Sequence, residues 1–168
     1  MNRKTRHLTH GALLAALYVA LTYLQNFFVP GSASWAIQFR VSEALCVLAF
    51  FTPAAIPGLA IGCLLFNISF AGALPLDFLV GSAATALSCA GMWLSRKWTL
   101  GGYPLFGLLL PAVCNAALVG WELAVYIGGG FFINALYVAI GETVVLLSLG
   151  SALYYTIKSR HLDEMILN

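Results

Sequence analysis

Charged side chains are nearly missing from this sequence. Eight Lys and Arg and six Asp and Glu stand among 168 residues, 8% in all, where a soluble domain carries about 25%. With 61% hydrophobic residues and a mean hydropathy of +0.92, the chain cannot cover itself in hydrated groups, which excludes a water-soluble globule. Histidine is as scarce. His7, His10 and His161 lie near the two ends, far from the acidic residues in between, which disfavours a histidine-based catalytic site. Cys46, Cys63, Cys89 and Cys114 fall singly inside apolar runs, a pattern of buried thiols rather than of a disulfide or metal framework. There is no Gly-x-x-x-x-Gly-Lys-Ser/Thr loop, no His-Glu-x-x-His and no Gly-x-Ser-x-Gly elbow, so no phosphate cradle, zinc helix or serine nucleophile. The expectation is a protein with no catalytic residues, no cofactor, no metal and no nucleic-acid partner. If it moves a solute against a gradient, the energy comes from another subunit.

What is present is apolar length. Several runs approach the ~20 residues that cross a ~30 Å hydrocarbon core. The sequence predicts an all-α integral membrane protein, a single six-helix transmembrane bundle over 1–168 with both termini cytoplasmic and spans at about 8–29, 42–53, 55–71, 76–94, 103–127 and 131–157. Pro30-Gly31-Ser32-Ala33-Ser34, Thr52-Pro53-Ala54-Ala55-Ile56-Pro57-Gly58 and Gly128-Gly129-Gly130 punctuate the runs. The first run is too long for a signal-peptide core and reads as a retained helix. The second is short, since ten α-helical residues cover only about 15 Å. The positive-inside rule arbitrates. Six spans put Arg3, Lys4, Arg6, Arg96, Lys97, Lys158 and Arg160 on the cytoplasmic side and leave Arg40 as the exception. Merging spans two and three would strand the last two clusters outside.

This topology places the intramembrane charges in the outer half. Arg40 and Glu43 open span two, Asp77 opens span four, and Glu122 lies near the outer end of span five beside Trp121. Asn134 is near the outer start of span six, Glu142 lies deeper, and Asn67 and Asn115 add amides in spans three and five. Four carboxylates thus face one guanidinium. A charge in a bilayer costs several kcal/mol unless it is paired or wetted, so such a set suggests a cavity open to the outside. A ligand rich in N–H donors, such as a guanine-like edge, fits carboxylates seeking donors. Trp35, Trp121 and Tyr126 are candidates to stack on its ring. Each member also has a plainer reading, as interhelical glue, an i,i+3 ion pair or an interfacial aromatic anchor. In span one, Ala12, Ala16 and Ala20 recur every four residues, a stripe that admits another helix closely, within the bundle or from a partner.

The run Ile37-Gln38-Phe39-Arg40-Val41-Ser42-Glu43-Ala44-Leu45, followed by Phe51-Thr52-Pro53-Ala54-Ala55-Ile56-Pro57-Gly58 and Gly62-Cys63, resembles the QueT family of queuosine-precursor transporters. The likeness continues through Asp77 and Gly81-Ser82-Ala83-Ala84-Thr85. Members of that family are substrate-binding S-components of energy-coupling factor transporters. The resemblance implies a multi-pass protein of a prokaryotic plasma membrane, surrounded by lipid, that captures a 7-deazaguanine small molecule from outside. It implies as partners a transmembrane coupling subunit and two ATPase subunits. In S-components an Ala-x-x-x-Ala surface on span one meets the coupling subunit, and Ala12, Ala16 and Ala20 match that spacing. The loop that commonly lids the ligand here holds Trp35, Gln38 and Arg40. Glu43, Asp77, Asn115, Trp121, Glu122, Asn134 and Glu142 join the candidate site from their depth and chemistry. The competing reading is a self-sufficient secondary transporter or channel that uses Glu142 as a proton site.

Overall fold

In the computed structural model, residues 2–32 and 39–163 are described. The candidates Trp35 and Gln38 lie outside the described residues. Among the described residues six helices follow one another: α1 (Arg3–Phe28), α2 (Val41–Phe50), α3 (Ala55–Ser69), α4 (Asp77–Ser95), α5 (Leu105–Tyr126) and α6 (Phe131–Ser159). Four of them, α1, α4, α5 and α6, are long and apolar enough to cross a membrane, while α2 and α3 are shorter. Among the described residues there is no strand.

The short second run is wound more tightly than an α-helix. α2 is a ten-residue 3₁₀ helix, whose rise of about 2 Å per residue extends it to roughly 20 Å rather than 15. Such runs are uncommon beyond three or four residues because their hydrogen bonds are poorer. Here packing on all sides compensates, since eight of the ten residues are buried. Thr52 precedes Pro53 and so disfavours an α-helical continuation, and α3 starts afresh with Pro57 in its first turn.

The other helices surround α2. Contacts run α1–α3–α4–α5–α6 in sequence, and α2 touches α1, α3, α4 and α6. Close approach depends on small residues. A Cβ added to Gly62 of α3 would sit 2.7 Å from Tyr18 Cβ and 2.9 Å from the Ala15 carbonyl oxygen on α1. Gly128, Gly129 and Gly130, with φ of 89°, 81° and 85°, make the left-handed turn that reverses α5 into α6. The main core fills the far half of the bundle around Phe50, Phe51, Leu59, Met92, Leu108 and Leu146. Outside, Phe27, Leu94 and Phe132 are each more than three-quarters exposed, the apolar coat of a protein whose surroundings are lipid.

Candidate substrate-binding site

At one end of the bundle, the start of α2, the start of α4, the end of α5 and the middle of α6 bring polar residues into the interior. Arg40 is the residue that caps α2, and its carbonyl accepts the Glu43 N–H at 3.0 Å. Only 4% of its surface is exposed, and its charge interacts with those of Asp77 and Glu43. Glu43, one 3₁₀ turn further on, is fully buried. Its carboxylate is well supplied with donors. Tyr18 Oη donates to Oε1 at 2.5 Å and the Cys46 thiol donates to Oε2 at 3.2 Å. Thr85 Oγ1 lies 3.5 Å from Oε1 and also donates to the Gly81 carbonyl. Thr22, one turn beyond Tyr18, donates to the Tyr18 carbonyl and lies 2.8 Å from Ser42 Oγ.

Asp77 is buried at the first position of α4, where its Oδ2 accepts the Leu74 N–H at 2.8 Å and ties down the loop before the helix. Asn67 donates from Nδ2 to the Asp77 carbonyl at 2.8 Å, joining α3 to α4. These groups are accounted for.

The far wall is different. Glu122 on α5 is fully buried and neither carboxylate oxygen has a partner in good hydrogen-bond geometry, with the Leu76 N–H and the Asp77 carboxyl at the start of α4 its nearest polar neighbours. The Asp77 carboxylate and the Arg40 guanidinium are both within electrostatic reach of it. Glu142 on α6 is 1% exposed, leaves Oε2 without a donor, and interacts with the charges of Glu43 and Arg40. Asn115, two turns before Glu122 on the same face of α5, is buried with an unused Nδ2. A buried polar group without a partner costs roughly 1–3 kcal/mol, and a charged one more. Three acceptor oxygens and one amide donor therefore stand on α5 and α6, each wanting a counterpart. Such a set is complementary to a molecule that offers several N–H donors and a carbonyl oxygen.

Of the residues singled out in the sequence, Arg40, Glu43, Asp77, Glu122 and Glu142 come together. Trp121 does not join them. It is about half exposed and lies on the lipid side of α5, because consecutive helical positions point in different directions. Asn134 is buried, but its Nδ2 donates to the carbonyls of Gly128 and Gly130 at 2.7 and 3.1 Å, so its amide holds the glycine turn together. Sequence reasoning missed Tyr18 and Thr85 as the donors around Glu43. The available signal was the i,i+4 pair Tyr18/Thr22, offset from the alanine stripe in an otherwise apolar helix. Ala12, Ala16 and Ala20 are exposed on the opposite face of α1 from Tyr18. Beside that stripe a groove of about 630 Å³ runs between α1 and α3, lined by Gly11, Ala12, Ala15, Pro57 and Gly58 with Lys4 and His7 at one end.

Comparison with known proteins gives two matches. A model of the QueT transporter family matches residues 8–159. The queuosine precursor transporter QueT of Lactococcus lactis subsp. cremoris (strain MG1363) is 40% identical over 86 residues, which cover 49% of this chain and 46% of that protein. That alignment spans about half the length of the curated relative. No solved structure matches.

Proposed function

The chain belongs to the QueT transporter family, and from that premise we propose that its buried acidic cluster binds a 7-deazaguanine precursor of queuosine. Membership makes it a transport protein rather than an enzyme, and its four long apolar helices make it a multi-pass membrane protein. The observation that carries the substrate reading is the set of unpartnered polar atoms on α5 and α6, Asn115 Nδ2, both Glu122 oxygens and Glu142 Oε2. A guanine-type edge presents one carbonyl oxygen beside adjacent N–H groups. In the proposed complex the Asn115 amide donates to that carbonyl. Glu122 and Glu142 accept from the ring and exocyclic N–H groups, and Arg40 balances part of the negative charge.

In the same reading the chain is the substrate-binding component of an energy-coupling factor transporter. It spans the membrane six times, with both termini cytoplasmic. It takes its substrate from outside and depends on a transmembrane coupling subunit and two ATPase subunits for uptake. The exposed Ala12, Ala16 and Ala20 and the adjoining groove support a helical partner on α1. Titration calorimetry with 7-deazaguanine derivatives tests the site. Glu122→Gln and Glu142→Gln are each expected to weaken binding at least about tenfold, the equivalent of one charged hydrogen bond. Unchanged affinity in both variants would remove them from the site. Liposomes containing this chain alone should not accumulate substrate under a proton gradient. Accumulation there would favour a self-sufficient transporter.

A further inference from the structure

The opposite end of the bundle holds a second polar hollow, remote from the acidic cluster and unused by the proposed substrate site. It encloses about 360 Å³ where the ends of α2, α4 and α6 meet the loop before α5. Phe50 and Phe51 form one wall, and Arg96, Thr99, Tyr154 and Lys158 bring polar groups to it. We propose that this hollow binds the phosphate of an anionic membrane phospholipid.

Three observations converge on an anion. Arg96 stacks its guanidinium 3.7 Å over the Trp93 ring and donates from one nitrogen to the Trp93 carbonyl at 2.5 Å. It makes no other hydrogen bond among the described residues, so most of its five N–H donors stay available. Tyr154 is 93% buried in an aromatic nest, with ring centroids 5.6 Å from Phe51 and 6.0 Å from Tyr103. Tyr154 lines the hollow, and no hydrogen bond joins its hydroxyl to another of the described residues. Finally, an anion from the chain itself already occupies part of the space, since Lys158 Nζ binds Asp163 Oδ2 at 2.8 Å just after α6 ends. The ammonium holds the Asp163 carboxyl below its ordinary range, so Asp163 stays ionised at neutral pH and competes for the site.

The setting selects a lipid over a free ion. Leu94, Trp98 and Leu100 flank Arg96 and Thr99 and are each more than three-fifths exposed, apolar surface on which acyl chains can lie. Basic pockets at the ends of transmembrane helices bind anionic headgroups through these same forces. Lys97, next in sequence to Arg96, is exposed and does not line the hollow.

Native mass spectrometry of the full chain, titrated with phosphatidylglycerol or phosphatidylcholine, tests the proposal. Phosphatidylglycerol should bind in preference, and Arg96→Gln and Lys158→Gln should each reduce its binding about fivefold. Lys97→Gln should leave it unchanged, and Asp163→Asn should strengthen it by removing the internal competitor. Should the two cation variants fold poorly, the Asp163→Asn gain still decides the matter. Equal binding of the two lipids, an equal loss in Lys97→Gln, or no gain in Asp163→Asn would overturn the proposal. Displacement of the lipid by millimolar inorganic phosphate would overturn it too, by reassigning the site to the free ion. None of these readouts depends on substrate affinity, so the substrate site stands or falls separately.

Discussion

Tyr18 Oη donates to Glu43 Oε1 across 2.5 Å, joining α1 to the first turn of the central 3₁₀ helix. That bond divides the acidic residues into two kinds. Glu43 is a structural acid with donors on both oxygens, whereas Glu122 has no partner in good hydrogen-bond geometry and Glu142 lacks one on Oε2. Removing the hydroxyl should therefore be felt as lost stability. Tyr18→Phe leaves Glu43 Oε1 with only the 3.5 Å approach of Thr85, at a cost of about 1–3 kcal/mol. A clear fall in the melting temperature in detergent is expected. An unchanged melt would mean that Glu43 finds its stabilisation elsewhere.

Neutralising the unpartnered carboxylates should do the reverse. Glu122→Gln and Glu142→Gln remove acids that lack donors on at least one oxygen, so the ligand-free protein should melt at the same or a higher temperature. The same variants bind the proposed substrate more weakly. Opposite signs on stability and affinity mark residues held in an unfavourable state for function. A lowered melting temperature in both would instead class them as packing residues like Glu43.

Gly62 tests the α1–α3 contact on which the Tyr18–Glu43 bond depends. In Gly62→Ala the new methyl meets Tyr18 Cβ at 2.7 Å and the Ala15 carbonyl oxygen at 2.9 Å, closer than carbon atoms pack. The helices must separate, with an expected loss of about 1–3 kcal/mol. Tyr18 moves with α1, so substrate affinity should fall as well. A variant with the parental melt and affinity would show that α1 shifts freely over α3.

Asn134→Ala should separate the two roles that depth alone gave this residue. Its amide bonds to Gly128 and Gly130 hold the turn between α5 and α6, so the loss is expected in stability, about 1 kcal/mol, with calorimetric affinity within about twofold. A large affinity loss with an intact melt would return Asn134 to the substrate site.

These cases show what could be read from the sequence. Apolar run length and the proline and glycine breaks marked out the helices, and charge position along the chain grouped Arg40, Glu43, Asp77 and Glu122 toward one end of the bundle with Glu142 deeper. Direction around each helix was less legible. Trp121 and Glu122 are neighbours in sequence, yet one is exposed and the other fully buried, because a single helical step turns a side chain by about 100°. Hydrogen-bond capture was hidden too. Nothing in the sequence near Glu43 announces that a tyrosine 25 positions earlier satisfies it, while Glu122 goes unsatisfied. Nor does composition distinguish a 3₁₀ from an α-helical run, so the second apolar run reads shorter in the sequence than it is in the fold.

The alanine stripe on α1 allows the proposed binding and transport roles to be tested separately. Ala12, Ala16 and Ala20 are exposed, while Tyr18 on the same helix is buried and bonded to Glu43. Enlarging the stripe should leave the substrate site intact and block whatever helix packs against it, since small residues are what permit close helix approach in a bilayer. Ala16→Leu is therefore expected to keep the parental melt and substrate affinity. Cells that carry it together with the proposed coupling and ATPase subunits should lose uptake. Conservation of all three properties would mean that no partner docks on this face. Loss of affinity together with uptake would mean that α1 transmits the disturbance inward through Tyr18.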